Sequence, residues 1–162
     1  MATIAKIKSG RKAKSNGSSF ESILVMSAMI DGWLPIQIGS MVRWIGKNKF
    51  VPIKSPFDFV FLRDKESIFV DAKYTEQASF SYSKLTDHQI ESLGKVRNQG
   101  FLSGYIVNFE SLKKVVFFDT KKLKNLRPYE SLSPEDGVLI GDQSAISLEK
   151  ILTQQKEGQD GR

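Results

Sequence analysis

Three residues carry the chemistry that this sequence can be read for: Asp58, Asp71 and Lys73. Asp71 and Lys73 stand two apart in a β-prone run at 67–73, so both leave the same face of a strand. Ala72 between them joins Val70 and Ile68 on the opposite, apolar face. A second β-prone run, 57–62, precedes it, and Arg63-Asp64-Lys65-Glu66 between the two predicts a tight antiparallel hairpin. A two-residue loop centred between Asp64 and Lys65 sets Asp58 opposite Asp71, and a one-residue shift makes them diagonal neighbours. In either register the two carboxylates lie within roughly 5–8 Å at Cβ. Carboxylates that close repel unless a cation sits between them. Mg²⁺ or Mn²⁺ suits such a pair, because it takes few protein oxygens and keeps its waters. A bound cation acidifies its water, and a neighbouring lysine can orient that water or stabilise charge developing on a phosphate. The plainer reading of the same residues is a solvated Asp71–Lys73 pair on an exposed strand end.

The rest of the composition narrows the chemistry further. The chain has 162 residues, 40% of them hydrophobic and 26% charged, which is one domain's worth of an ordinary globular sequence. It has no cysteine and one histidine, His88. Thiolate metal sites, disulfide frameworks, cysteine nucleophiles and multi-histidine metal sites are excluded. Hydrolysis by this chain therefore points to carboxylates and a hard cation. No stretch is long and apolar enough for a membrane helix, and no secretory signal opens the chain, so a cytoplasmic protein without a membrane partner is expected. Of the net charge of +6, five come from Lys6, Lys8, Arg11, Lys12 and Lys14, with no acid among the first twenty residues. Such a basic arm, assigned to residues 1–15 and expected to be flexible, seeks phosphates.

The elements that must position the carboxylates follow from pattern. Ser18-Ser19-Phe20-Glu21 has the form of a capping box, and Phe20, Ile23, Leu24, Ala28 and Ile30 continue at helical spacing to Gly32. A strand at 34–38 comes next. Strands at 41–45 and 50–54 then flank Gly46-Lys47-Asn48-Lys49, a hairpin turn, and Pro52 and Pro56 make that hairpin exposed or an edge. After the carboxylate hairpin, Thr86-Asp87-His88-Gln89 has the form of a second capping box, opening a helix that stops at Gly100. Strands at 101–109 and 113–118 follow, the first almost wholly apolar and so central. A turn or short helix at Pro134-Glu135-Asp136, a short last helix around Leu148, Ile151 and Leu152, and a disordered polar tail at 154–162 complete the chain. The order helix, strands, helix, strands, helix indicates an α/β domain over 16–153 around a mixed central sheet.

These residues together resemble a known family. Asp58, then an apolar strand and a turn, then Asp71-Ala72-Lys73, resembles the PD-(D/E)XK nuclease core, with Phe57 where proline often stands. The run Ala78-Ser79-Phe80, the helix opening Asp87-His88-Gln89-Ile90-Glu91, and the strands Gly104–Phe109 and Val115–Phe118 with Lys122-Leu123 resemble RecU-type Holliday junction resolvases in order and spacing. The likeness covers roughly residues 16–126. Asp71 stands where this family more usually has glutamate, one methylene longer.

The resemblance implies a restriction-endonuclease-like fold with a protruding stalk hairpin at about 40–54. It implies a Mg²⁺- or Mn²⁺-dependent endonuclease that cuts four-way DNA junctions in recombination and repair, acting as a homodimer, with a recombinase as a further candidate partner. Asp58 and Asp71 would bind the metal, Lys73 would orient the attacking water, and Glu21 would assist directly or through water. Gln89 would support the site from the second helix. Glu21 and Gln89 each have a second reading as helix-capping residues. Arg43, Trp44, Lys47 and Lys49 cluster on the stalk hairpin, where an aromatic among cations can stack on an unpaired base while the cations hold phosphates; a structural tryptophan beside a solvated basic turn is the other reading. A restriction-type or single-strand nuclease on the same core, or a DNA-binding module without cleavage, are the alternative functions.

Overall fold

The apolar runs of the sequence assemble into one six-stranded mixed sheet with helices on both faces. A computed structural model of the chain describes residues 2–160, with side chains over 16–157. The first helix, α1, spans Ala2–Ile30 and leads to strand β1 (Leu34–Gln37). An isolated hairpin follows, β2 (Met41–Trp44) and β3 (Phe50–Ile53), and then the central hairpin, β4 (Phe59–Arg63) and β5 (Glu66–Thr75). A short strand β6 (Phe80–Ser81) precedes helix α2 (Asp87–Asn98) and strands β7 (Leu102–Phe109) and β8 (Lys114–Asp119). The chain ends with α3 (Thr120–Leu123), β9 (Ser131–Leu132), β10 (Val138–Gly141) and α4 (Glu149–Asp160).

The sheet order is β1-β4-β5-β7-β8-β10. Strands β5 and β7 run parallel, joined by a crossover that contains α2, and the other neighbours in the sheet are antiparallel. The expectation that 101–109 is central holds: β7 lies between β5 and β8 and is buried along almost its whole length. On one face, Phe20, Leu24 and Ala28 of α1 pack with Phe59, Phe61, Ile68, Val70, Ile106 and Phe117. On the other, Leu93 of α2 packs with Tyr105, Val107, Phe109, Val116 and Phe118. Gly104 fixes how tightly β7 meets β8, since a Cβ there would stand 2.1 Å from the Phe118 carbonyl oxygen.

Two expected boundaries differ. Residues 18–21 do not start a helix: α1 runs from Ala2, and the Ser22 hydroxyl donates to the Ser18 carbonyl inside it. Alanine- and lysine-rich sequence upstream favours helix, and that propensity overrides the capping signal. The side chains of Lys6, Lys8, Arg11, Lys12 and Lys14 lie outside the described residues. At the other end α4 continues through 154–160, where a disordered tail was expected; Gln, Lys and Glu are good helix formers.

Candidate active site

The site begins with the turn of the central hairpin. Asp64 takes a positive φ of 52°, which aspartate tolerates better than most residues, so the chain reverses over two residues. The register is then Arg63↔Glu66 through Phe59↔Val70, and its continuation sets Asp58 opposite Asp71. Because β4 starts only at Phe59, the Ala72 amide on that side has no strand partner. The Asp58 carboxylate takes its place and accepts from Ala72 N at 2.9 Å. The Asp58 backbone is tied on both sides, donating to the Val70 carbonyl (3.1 Å) and accepting from Ile38 N (2.8 Å). Both the position and the rotamer of Asp58 are thus set by the ends of three strands.

Asp71 has no exposed surface. Its Oδ1 accepts from Gln89 Nε2 at 2.5 Å, and Lys73 Nζ lies 2.5 Å from its Oδ2. Oδ2 nevertheless receives no hydrogen bond of acceptable geometry. Burial pushes the Asp71 carboxyl up to about 7; the Lys73 ammonium opposes this and the Asp58 carboxylate adds to it. Burial thus outweighs the Lys73 ammonium, and the carboxyl is held less readily ionised than an exposed aspartate.

Gln89 reaches Asp71 from the first turn of α2. Thr86 is the N-cap, and its hydroxyl oxygen accepts from Gln89 N at 3.4 Å. The reciprocal half of a capping box is absent. The Gln89 side chain turns to Asp71 instead, with the Thr86 hydroxyl donating to its Oε1 at 2.9 Å. Gln89 thus takes part in the cap through its backbone and reaches Asp71 through its amide. His88, next to it, is exposed.

Glu21 comes from α1 on the other face of the sheet. Its carboxyl is raised chiefly by burial and then by Asp58, with Lys73 opposing, so it lies in the field of the same cluster. Gln37 of β1, which the sequence did not single out, donates to Glu21 Oε2 at 3.3 Å. Among the described residues no three His, Cys, Asp or Glu side chains converge as a ready cation cage. Glu21 therefore does not close a three-carboxylate group with Asp58 and Asp71 among the described residues. The donor set still fits a small hard cation: two carboxylates at facing positions of one hairpin, one of them fully buried, match an ion that keeps most of its waters.

The basic-aromatic cluster lies elsewhere, on the β2–β3 hairpin. Lys47 and Asn48 both have positive φ, 38° and 62°, and Lys49 N donates to the Gly46 carbonyl, a tight turn that matches strand twist. Arg43, Trp44, Lys47 and Lys49 are all exposed. Trp44, 65% exposed, does not pack at the hairpin base; it is paired across the ribbon with Phe50, 63% exposed, a second aromatic that the sequence reading passed over.

Comparisons with known proteins bear on the family and the fold. The family model "RecU: Recombination protein U" matches residues 27–134, a span that contains Asp58, Asp71, Lys73, Gln89 and the hairpin but not Glu21. Among solved structures, Hjc, a Holliday junction resolvase from Archaeoglobus fulgidus, superposes with a TM-score of 0.56 at 18% identity, covering 76% of this chain and 96% of that chain. No curated protein matches the sequence.

Proposed function

The chain belongs to the RecU family of recombination proteins, and on that premise we propose that it is a divalent-metal-dependent endonuclease that resolves four-way DNA junctions. The observation that carries the reading is the buried Asp71, opposite Asp58 and beside Lys73 and Gln89. Asp58 and Asp71 would hold Mg²⁺ or Mn²⁺, with Glu21 assisting directly or through water. The cation, when bound, supplies an acidified water and charge neutralisation at the scissile phosphate. Gln89 orients the Asp71 carboxylate by donating to Oδ1. Lys73, beside Asp71, would orient the attacking water or stabilise charge developing on the phosphate.

The hairpin favours a branched substrate over linear duplex. An isolated two-stranded ribbon is marginal in water, and this one exposes Val42, Trp44, Phe50 and Val51. Trp44 and Phe50 stack on bases that lack partners at a branch point, while Arg43, Lys47 and Lys49 hold phosphates. The basic residues 6–14 add non-specific contacts to the arms of the junction. A homodimer places two such sites about a twofold axis, as symmetric cleavage requires. The apolar surface of Met26, Met29 and Ile30 on α1, continuous in sequence with Leu34 and Ile36 on the outer edge of the sheet, supports an interface with a second copy. The enzyme works in the cytoplasm with the recombining DNA, where a recombinase is a further partner.

Labelled four-way junction and linear duplex, each incubated with Mg²⁺, Mn²⁺ or EDTA, test the reading. Metal-dependent cleavage of the junction in preference to duplex is expected. Asp58→Asn and Asp71→Asn should lose cleavage while junction binding stays intact or tightens, because each removes a charge that holds metal and repels phosphate. Normal cutting by both variants would sink the metal-site assignment, and equal cutting of duplex would leave a general nuclease.

A further inference from the structure

We propose that Tyr105 is a positioning residue of the cation site, its hydroxyl held beside Asp71 to hydrogen-bond a water in the hydration shell of the divalent ion. The inference rests on the reading of Asp58 and Asp71 as metal-binding groups. Tyr105 lies on β7, and the parallel register pairs it directly with Asp71, so the two side chains leave the sheet on the same face. It is fully buried, and its Oη has no hydrogen-bond partner. Burial raises the phenol, and the charges of Asp71 and then Asp58 raise it further, which places the ring in the field of both carboxylates. The Lys73 ammonium lies 6.0 Å from the centre of the same ring.

The residue paired with Asp71 on the neighbouring strand thus carries a buried hydroxyl without a partner. Asp71 Oδ2 is met by the Lys73 ammonium at 2.5 Å, whereas Tyr105 Oη has no hydrogen-bond partner. A buried hydroxyl without a partner destabilises a fold, and the natural remedy is an apolar residue of the same shape. That remedy is used all around it: Phe69, Phe80, Phe109 and Phe118 belong to the same cluster of side chains. A tyrosine at this fully buried position, its hydroxyl without a partner, therefore points to a partner supplied by the cation site. Groups that orient the ligands and waters of a metal ion find such partners, and their loss weakens metal binding without touching a ligand.

Full-length Tyr105→Phe, compared with the parent protein, separates this from a packing role. Thermal melts are recorded in EDTA, and Mn²⁺ affinity is measured by calorimetric titration, with Asp71→Asn run alongside. The expected result is an EDTA melting temperature equal to or above that of the parent, together with a 10- to 100-fold (order of magnitude) loss of Mn²⁺ affinity. A lower melting temperature in EDTA would show that the hydroxyl has a partner in the metal-free protein and would overturn the inference. Unchanged Mn²⁺ affinity in Tyr105→Phe, with affinity lost in Asp71→Asn, would overturn it alone. Unchanged affinity in Asp71→Asn would overturn the cation reading and this inference with it.

Discussion

Asp71 should make the metal-free protein weaker as pH rises, and Asp71→Asn should remove that weakness. The carboxyl is raised from 3.8 to about 7, with burial the largest cause. A folded-state pKa above the unfolded one means that the native protein holds a proton that the unfolded chain has already released. Stability then falls with each pH unit above about 4, and the fall flattens above about 7. Worked through, the group costs the native state about 2 kcal/mol at pH 5 and about 4 kcal/mol at pH 8, relative to full protonation in both states. Asparagine keeps an oxygen for Gln89 and carries no titrating charge. Its own packing difference shifts stability by an amount that does not depend on pH.

The measurement is urea unfolding of parent and Asp71→Asn in EDTA between pH 5 and pH 8. The difference in unfolding free energy should tilt in favour of the variant by about 2–3 kcal/mol across that window. Adding Mn²⁺ should restore the parent at pH 8 far more than at pH 5, since only the ionised carboxylate binds the ion, and should leave the variant unmoved. A difference that stays flat with pH would refute the reasoning: Asp71 would then be adequately neutralised by Lys73, and the site would have no electrostatic vacancy for a cation to fill.

Lys73→Met should keep Mn²⁺ binding and lose cleavage by about 10²- to 10³-fold in single-turnover assays, as expected when one preorganised charge is taken from the reacting phosphate. Trp44→Ala combined with Lys47→Ala and Lys49→Ala should reduce cleavage of a four-way junction far more than any cleavage of linear or single-stranded DNA, with circular dichroism unchanged because all three side chains are exposed; equal losses on all substrates would remove the hairpin from junction recognition. Deleting residues 1–14 should flatten the log–log salt dependence of DNA binding by up to about 4.5, one increment for each of five cations, and an unchanged slope would show that the arm does not touch phosphates.

The central hairpin was legible because its determinants are local. A polar four-residue turn between two alternating runs fixes the register, and register alone brings Asp58 opposite Asp71. Glu21 and Gln89 were legible in two ways, as members of capping motifs and, through the family resemblance, as residues supporting the site. The motif was right for Thr86, where a β-region cap precedes α2, and wrong for Ser18, where the helix continues upstream. Trp44 was seen, but its cross-strand partner Phe50 was not, although the turn at 46–49 fixes that pairing as firmly as the turn at 63–66 fixes the other.

Tyr105 was hidden for a different physical reason. Its neighbour Asp71 is 34 residues away on a parallel strand, and parallel register is set by a crossover, not by a turn. In the sequence it is one more large residue in an apolar run. Its distinguishing mark is a hydroxyl that finds nothing to bond, and that becomes visible only when every buried polar atom has been accounted for. The same accounting links the two faces of the sheet. Gln89 and Tyr105 lie beside Asp71 on the α2 side, Glu21 comes from α1 into the field of Asp58 and Lys73, and Asp58 caps the strand end. A carboxylate buried at that meeting point cannot shed its charge to water, so its ionisation depends on what the site holds. That dependence couples stability, metal binding and catalysis through one residue, and it is why the pH experiment on Asp71 bears on all three.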